Sequence, residues 1–347
     1  MNLDKIQINY ILGLGRSGTT LLLRELGKSK RVISNPESLF ILDFLYVNDP
    51  KKKMKSGEIT FFIDQIFSLK TGRFVSLDLW RIDKEKLLKS IQALPFVTFL
   101  DLIKLVNLHS EFGQKVIEVA FILDKNPPYT LHFEQLKKLD ENSKFIGIYR
   151  SYLDNIISRN KYKLDAFNHP YFHALMWCQF NDALLSYRKH DPNKIHLIQY
   201  ENLVENPDFH LIKARAFLGI SSELREENVS TLNGLLENLK SDREKEQFLE
   251  MHGKVFKSID TSAVGNKTIP FSSHQINAIH AICSKTSIKL GYEPINFSTP
   301  SYFVLFQIKW FQLLLFFTES KHKFYYYSSH RTRKWMKLIV KPWSVFT

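Results

Sequence analysis

The chain has 347 residues, 44% hydrophobic and 24% charged, with two cysteines. That balance excludes a disordered, collagenous or disulfide-scaffold protein and allows one large core or two modest ones. The net charge of +13 is the outlier and points to an anionic partner.

The excess charge is uneven. The stretch from Ser320 to Thr347 carries seven Lys/Arg and no Asp/Glu, which leaves +6 on everything before it. Two anionic partners are therefore expected rather than one. The N-terminus passes straight into a short apolar run, Ile6 to Leu14, too brief for a secretory signal core or a membrane span. A cytoplasmic location is the expectation.

Ile6 to Leu12 reads as a buried strand, and Thr19 to Lys28 as a helix after a glycine loop. Val32 to Ser34 is a short second strand. Asn35-Pro36 carries a helix start signal, Asn as cap and Pro in the first helical position. Residues 40–112 are mostly helical in pattern, broken at Lys51-Lys52-Lys53 and Pro95. Pro127-Pro128 opens a helix to about Leu139. Lys144 to Tyr149 and Ile195 to Tyr200 are further strands, each followed or preceded by helical pattern: from Ser151, over Trp177 to His190, Phe209 to Leu218 and Ser272 to Leu290. Strands separated by long helices predict an α/β fold with a mainly parallel central sheet flanked by helices. Pro294 to Pro300 marks a boundary, giving a domain over 1–297 and a tail over 298–347.

Gly13-Leu14-Gly15-Arg16-Ser17-Gly18-Thr19-Thr20 lies between a strand and a helix in the frame of a phosphate-binding loop. Small residues let backbone N–H groups turn toward an anion, and the helix N-terminus adds partial positive charge. Ser17, Thr19 and Thr20 add hydroxyls, and Arg16 a guanidinium. A nucleoside triphosphatase would carry Lys where Thr19 stands, so γ-phosphate transfer is disfavoured. The loop resembles the 5′-phosphosulfate loop of sulfotransferases that use 3′-phosphoadenosine 5′-phosphosulfate (PAPS). The resemblance implies donor contacts from Arg16, Ser17, Gly18, Thr19 and Thr20.

Arg150 ends a strand and Ser158 follows two helical turns later. Strand carboxyl ends are where open α/β sheets bind ligands, and Arg holds phosphate through parallel hydrogen bonds. The pair is similar to the same family's 3′-phosphate motif, although the family's Arg-Asp-Pro-Arg continuation is Arg150-Ser151-Tyr152-Leu153 here. Glu37 comes directly after Asn35-Pro36. Its place and its spacing from Arg16 resemble those of the catalytic base in the glycan and tyrosylprotein branches of the family. Asp124-Lys125-Asn126-Pro127 resembles the family's D/E-K-x-P segment, which implies that Lys125 offsets charge on the leaving group. Tyr200-Glu201-Asn202-Leu203 is similar to a structural turn, and Gly265-Asn266-Lys267 to a late basic loop that makes Lys267 a donor contact.

The resemblance implies sulfuryl transfer from PAPS to an acceptor hydroxyl on a glycan or glycolipid, leaving 3′,5′-ADP, with no metal required. The alternatives are a Lys-less P-loop nucleotide or sugar kinase and a membrane-bound nucleotide-binding scaffold without catalysis. His169 and His173 share a helical face, but with Pro170 between them and no HExxH glutamate they do not read as a zinc site. No nucleic-acid module is recognisable. Tyr302 to Thr318 has 13 apolar residues in 17, interrupted by Gln307, Lys309 and Gln312. With the basic, aromatic segment beyond it, this reads as an anchor on an anionic membrane surface.

Overall fold

A run of β-favouring residues, Gln7–Leu12, forms β1 at the centre of a five-stranded sheet in the computed structural model. The structure describes residues 2–68, 76–165, 167–225, 231–256, 259, 261, 264–265, 268–328 and 332–333. The other strands are β2 (Val32–Ile33), β3 (Phe121–Lys125), β4 (Phe145–Tyr149) and β5 (Ile195–Gln199). Their order is β2-β3-β1-β4-β5, and every pairing is parallel.

The helices in chain order are α1 (Thr19–Gly27), α2 (Phe40–Leu45), α3 (Ser56–Ser68), α4 (Lys84–Gln92), α5 (Phe99–Leu108), α6 (Glu111–Gln114) and α7 (Phe133–Leu139). Then come α8 (Tyr152–Tyr162), α9 (Pro170–His190), α10 (Tyr200–Glu205), α11 (Pro207–Leu218), α12 (Thr231–Asn238), α13 (Asp242–His252), α14 (Ser273–Lys289) and α15 (Tyr302–Tyr327).

Alternation along β1 divides the core. Ile8, Tyr10 and Leu12 face α2 to α5 and α7, whereas Ile11 faces α1, α10 and α11. Both sheet faces are covered, as a parallel sheet requires. A third core joins α8, α9 and α14 around Tyr152, Trp177, Phe180 and Cys283, and α15 packs onto it through Ile308, Phe311 and Leu315. Pro170 opens α9 with His169 as its cap, so that helix begins well before the predicted Trp177.

Pro127–Leu131 is a 3-10 turn, with α7 starting separately at Phe133, and two elements at the site also differ from expectation. Phe121–Lys125 is a strand between β2 and β1, paired Ile11 to Lys125. Its charged end, Asp124-Lys125, hides the β pattern because both side chains are buried for the site rather than solvated. Asn35-Pro36 does not start a helix: residues 34–38 are irregular, and α2 begins at Phe40. Asn35 does not cap because its amide is taken elsewhere. It donates to Asn107 Oδ1 at 2.7 Å and accepts from Ser110 Oγ at 2.8 Å, both on the α5–α6 corner.

Candidate active site

The sheet order places β1 between β3 and β4, so the chain departs in opposite directions from its centre. That switch point opens a crevice at the strand carboxyl ends. Four of them supply candidate groups: Gly13 to Gly18 after β1, Lys125 at the end of β3, Arg150 after β4 and Tyr200 after β5.

Backbone geometry accounts for the loop's glycines. Gly13 has φ of 150°, and a Cβ there would meet Ile148 O at 2.4 Å. Gly18 has φ of 99°, and a Cβ would run into the Tyr200 ring at 2.4 Å. Arg16 takes the left-handed region at φ 72°, an uncommon position for a side-chain-bearing residue that recurs at functional sites. From the far side α8 braces the loop. Asn155 Nδ2 donates to Gly15 O and Ser17 Oγ at 3.1 and 3.0 Å, and Arg159 Nη1 donates to Gly15 O at 3.2 Å. Arg159 is itself fixed by a two-nitrogen contact to buried Asp165, which lies 2.7 Å from His173 Nδ1. The His169/His173 pair thus splits between a helix cap and this brace.

The predicted anion residues converge. Arg16 Nε donates to Ser158 Oγ at 3.0 Å, joining the two motifs across 142 positions of sequence. Arg16 Nη1 donates to Met251 O at 2.9 Å, and its guanidinium lies 4.8 Å from the centre of the Tyr162 ring. Arg150 is buried, 3.2 Å from Asp154 and 4.4 Å above the Tyr200 ring, while its carbonyl accepts from Trp177 Nε1 at 2.9 Å. Gly265 N–H donates to Asp154 Oδ2 at 3.3 Å, so the late glycine loop approaches the Arg150 motif. Lys267 lies outside the described residues. A cleft of about 190 Å³ beside Arg150 is lined by Ser151, Asp154, Ile157, Glu201, Val264 and Gly265, among others.

Not every loop hydroxyl faces the crevice. Ser17 is buried, with its N–H on Leu14 O and its Oγ held by Asn155, so it shapes the loop. Thr19 is buried, and Thr20 Oγ1 accepts from Lys125 Nζ at 3.1 Å. The first N–H groups of α1 have no acceptor within the helix and present partial positive charge there.

Lys125 Nζ also pairs with Glu37. The segment carrying Glu37 is pinned on both sides: Trp80 Nε1 donates to Pro36 O at 3.2 Å, and Asn126 Nδ2 to Ser38 O at 3.1 Å. Glu37 is thereby held at the crevice without a helix beneath it. His252, at the end of α13, is a member that sequence reasoning missed. Burial first, then the cations of Arg16 and Lys125, lowers its imidazole to about 3 and keeps it neutral. No motif flags it, because it reaches the site only through the docking of α13 above Arg16.

Asp124, beside Lys125, accepts from Tyr129 OH at 2.9 Å and Asn126 Nδ2 at 3.2 Å. Burial outweighs these bonds and raises its carboxyl from 3.8 to about 7. The folded chain therefore keeps a proton there that the unfolded chain releases at lower pH. The resulting stabilisation is complete below the unfolded pKa and falls as pH rises toward 7. Between pH 5 and pH 8 the unfolding free energy of Asp124→Asn should fall less than that of the parent, by up to about 3 kcal/mol. Equal slopes in denaturant titrations at the two pH values would refute this.

The open parallel sheet thus carries a glycine loop at its switch point and a buried arginine, Arg150, at the next strand end. A family profile described as the sulfotransferase family matches residues 10–223, and the chain belongs to that family. Its reaction class is therefore sulfuryl transfer. The sulfotransferase domain from the curacin biosynthetic pathway shares the fold at 21% identity and a TM-score of 0.51, covering 83% of this chain and 99% of that one. The sulfotransferase domain from the Synechococcus PCC 7002 olefin synthase does so at 18% identity and 0.51, covering 84% and 96%. A comparison with curated proteins returns no match.

Proposed function

We propose that this sulfotransferase takes its sulfuryl group from PAPS and passes it to an acceptor hydroxyl. The observation that carries the reading is the Arg16–Ser158 hydrogen bond, which makes one cationic edge of two separate anion motifs. A donor with phosphate at both the 3′ and 5′ ends of one ribose needs two such sites; a nucleoside triphosphate needs one.

The residues present fit that donor. Arg150 and Lys125 are buried cations at the strand ends on either side of β1, and Thr20 in the first turn of α1 accepts from Lys125 Nζ. PAPS, when bound, would supply the sulfuryl group, and 3′,5′-ADP would leave with the electron pair of the broken sulfur–oxygen bond. Arg16, Gly18, Thr19 and Thr20 hold the 5′ end, and Arg150 with Ser158 holds the 3′-phosphate. Glu37 accepts the acceptor's hydroxyl proton as that oxygen bonds to sulfur. Lys125 Nζ offsets the charge that the breaking sulfur–oxygen bond leaves on phosphate. A glycan or glycolipid hydroxyl is the acceptor class proposed, on the resemblance of Glu37 to the catalytic base of the glycan and tyrosylprotein branches.

Thermal unfolding with 3′,5′-ADP, ATP and AMP tests the donor. The largest rise in melting temperature is expected with 3′,5′-ADP. A larger rise with ATP would overturn the reading in favour of a kinase.

A further inference from the structure

Helix α15 is apolar on two faces, and among the described residues only one of them meets protein. Ile308, Phe311 and Leu315 pack on the α9–α14 core, with Phe311 stacked on His169 at 4.4 Å between ring centres. At the helix's far end Arg333 donates to Ser328 O at 3.0 Å and to the carbonyls of Asp43 and Tyr326, which fastens this end to α2. The helix is thus fixed in place at both ends.

The opposite face carries Phe303, Phe306, Trp310, Leu313, Phe317 and Phe324, spaced by three, four or seven positions and so aligned in one stripe. Phe303, Phe306, Trp310, Phe317 and Phe324 are 70, 68, 52, 59 and 60% exposed. A row of this length on a helix that already satisfies its packing face does not serve the core, and it exceeds scattered surface apolarity.

The charge around it has one sign. Among residues 302–347 the sole acid is Glu319, and its carboxylate is turned inward to Gln179 Nε2. Lys309, Lys321 and Lys323 accompany the stripe, and Arg331, Lys334, Lys337 and Lys341 follow in sequence outside the described residues. Arg333 serves another purpose, being spent on backbone carbonyls. Among the described residues no helix is long and apolar enough to cross a membrane. Exposed rings along one face, basic residues beside them and no outward acid match an anionic lipid surface: the rings enter the boundary between headgroups and acyl chains, and the ammonium groups meet lipid phosphates. A protein partner would receive no negative charge from this face with which to fix its orientation.

We propose that α15 is an in-plane membrane-docking helix, with its Ile308 face on the enzyme and its Phe306–Trp310–Phe317 face in an anionic bilayer. This is independent of the donor reading, since none of these residues lines the crevice.

The test uses the full chain, because removing α15 would bare Ile308 and Phe311. Sedimentation with vesicles of phosphatidylcholine and phosphatidylglycerol, mixed at about 2:1, is compared for the parent and for Phe306→Ser/Trp310→Ser/Phe317→Ser. The three positions are mostly exposed, so the variant should keep the parent's melting temperature. Its partition coefficient is expected to fall by about a hundredfold, and the parent's to fall more than about tenfold on pure phosphatidylcholine. A parent that stays in the supernatant with the anionic vesicles overturns the proposal. So does a triple variant that binds as well as the parent, which would leave the tail's charge as the whole cause. A lipid-free parent dimer that the triple substitution converts to monomer also overturns it, since the face would then belong to a second copy.

Discussion

Glu37→Gln should lower turnover by about 10²–10⁴-fold and leave the thermal shift with 3′,5′-ADP intact. Gln retains an oxygen that can accept from Lys125 Nζ, so the site keeps that hydrogen bond while losing the proton acceptor and its negative charge. Glu37→Ala should behave differently. The Lys125 side chain is 2% exposed and would lose its carboxylate, while Glu37 is 24% exposed and shares its load with water. Breaking a buried pair costs several kcal/mol, and the partial exposure reduces this to about 1–3 kcal/mol of stability. The two variants separate the roles: Gln tests chemistry with the fold held constant, and Ala adds the cost of a bare ammonium. Steady-state transfer to a hydroxyl acceptor checks the first, and denaturant unfolding the second. If Glu37→Gln turns over at the parent rate, Glu37 is not the base. A parent that binds 3′,5′-ADP and transfers nothing would instead be the scaffold alternative.

What the sequence revealed and what it hid follow from the range of the interactions. The glycine loop was legible because its conformation is local: Gly13 and Gly18 need backbone angles that the residue types announce. Arg150 and Ser158 were legible because a strand end and two helical turns fix their relation over a short stretch of chain. β3 was hidden because its last two residues are charged and buried together, against the usual pattern of a buried strand. The false helix start at Asn35-Pro36 shows the converse. A good local signal lost to a tertiary one, since Asn107 and Ser110 bind the Asn35 amide. The brace of Asn155, Arg159, Asp165 and His173 had no sequence signal either, because each member is an ordinary helix or loop residue until α8 packs beneath Gly15. The tail divides the same way. Its charge was readable by counting, but only the docked helix shows that Arg333 and Glu319 face inward and that the rings face out.

Arg150→Ala should weaken 3′,5′-ADP by about 30–1,000-fold, the loss of two charge-assisted hydrogen bonds to phosphate. AMP, which lacks the 3′-phosphate, should lose far less, so the preference for 3′,5′-ADP over AMP collapses. A second cause could mimic this result. Arg150 lies 3.2 Å from Asp154, whose carboxylate also accepts the Gly265 N–H. Without the guanidinium, Asp154 would repel an incoming phosphate, and the loss would measure that repulsion rather than a missing contact. Arg150→Ala/Asp154→Asn distinguishes the two. If Arg150 contacts the 3′-phosphate, the double variant stays unselective between the nucleotides. If Arg150 only neutralises Asp154, the double variant recovers the parent's preference, and the 3′-phosphate must be held by other groups. Calorimetric titration of both nucleotides into the parent, the single and the double variant decides it. Arg150→Lys adds a further control: it keeps the charge against Asp154 but not the planar fork, so direct recognition predicts a preference between those of the parent and the alanine variant.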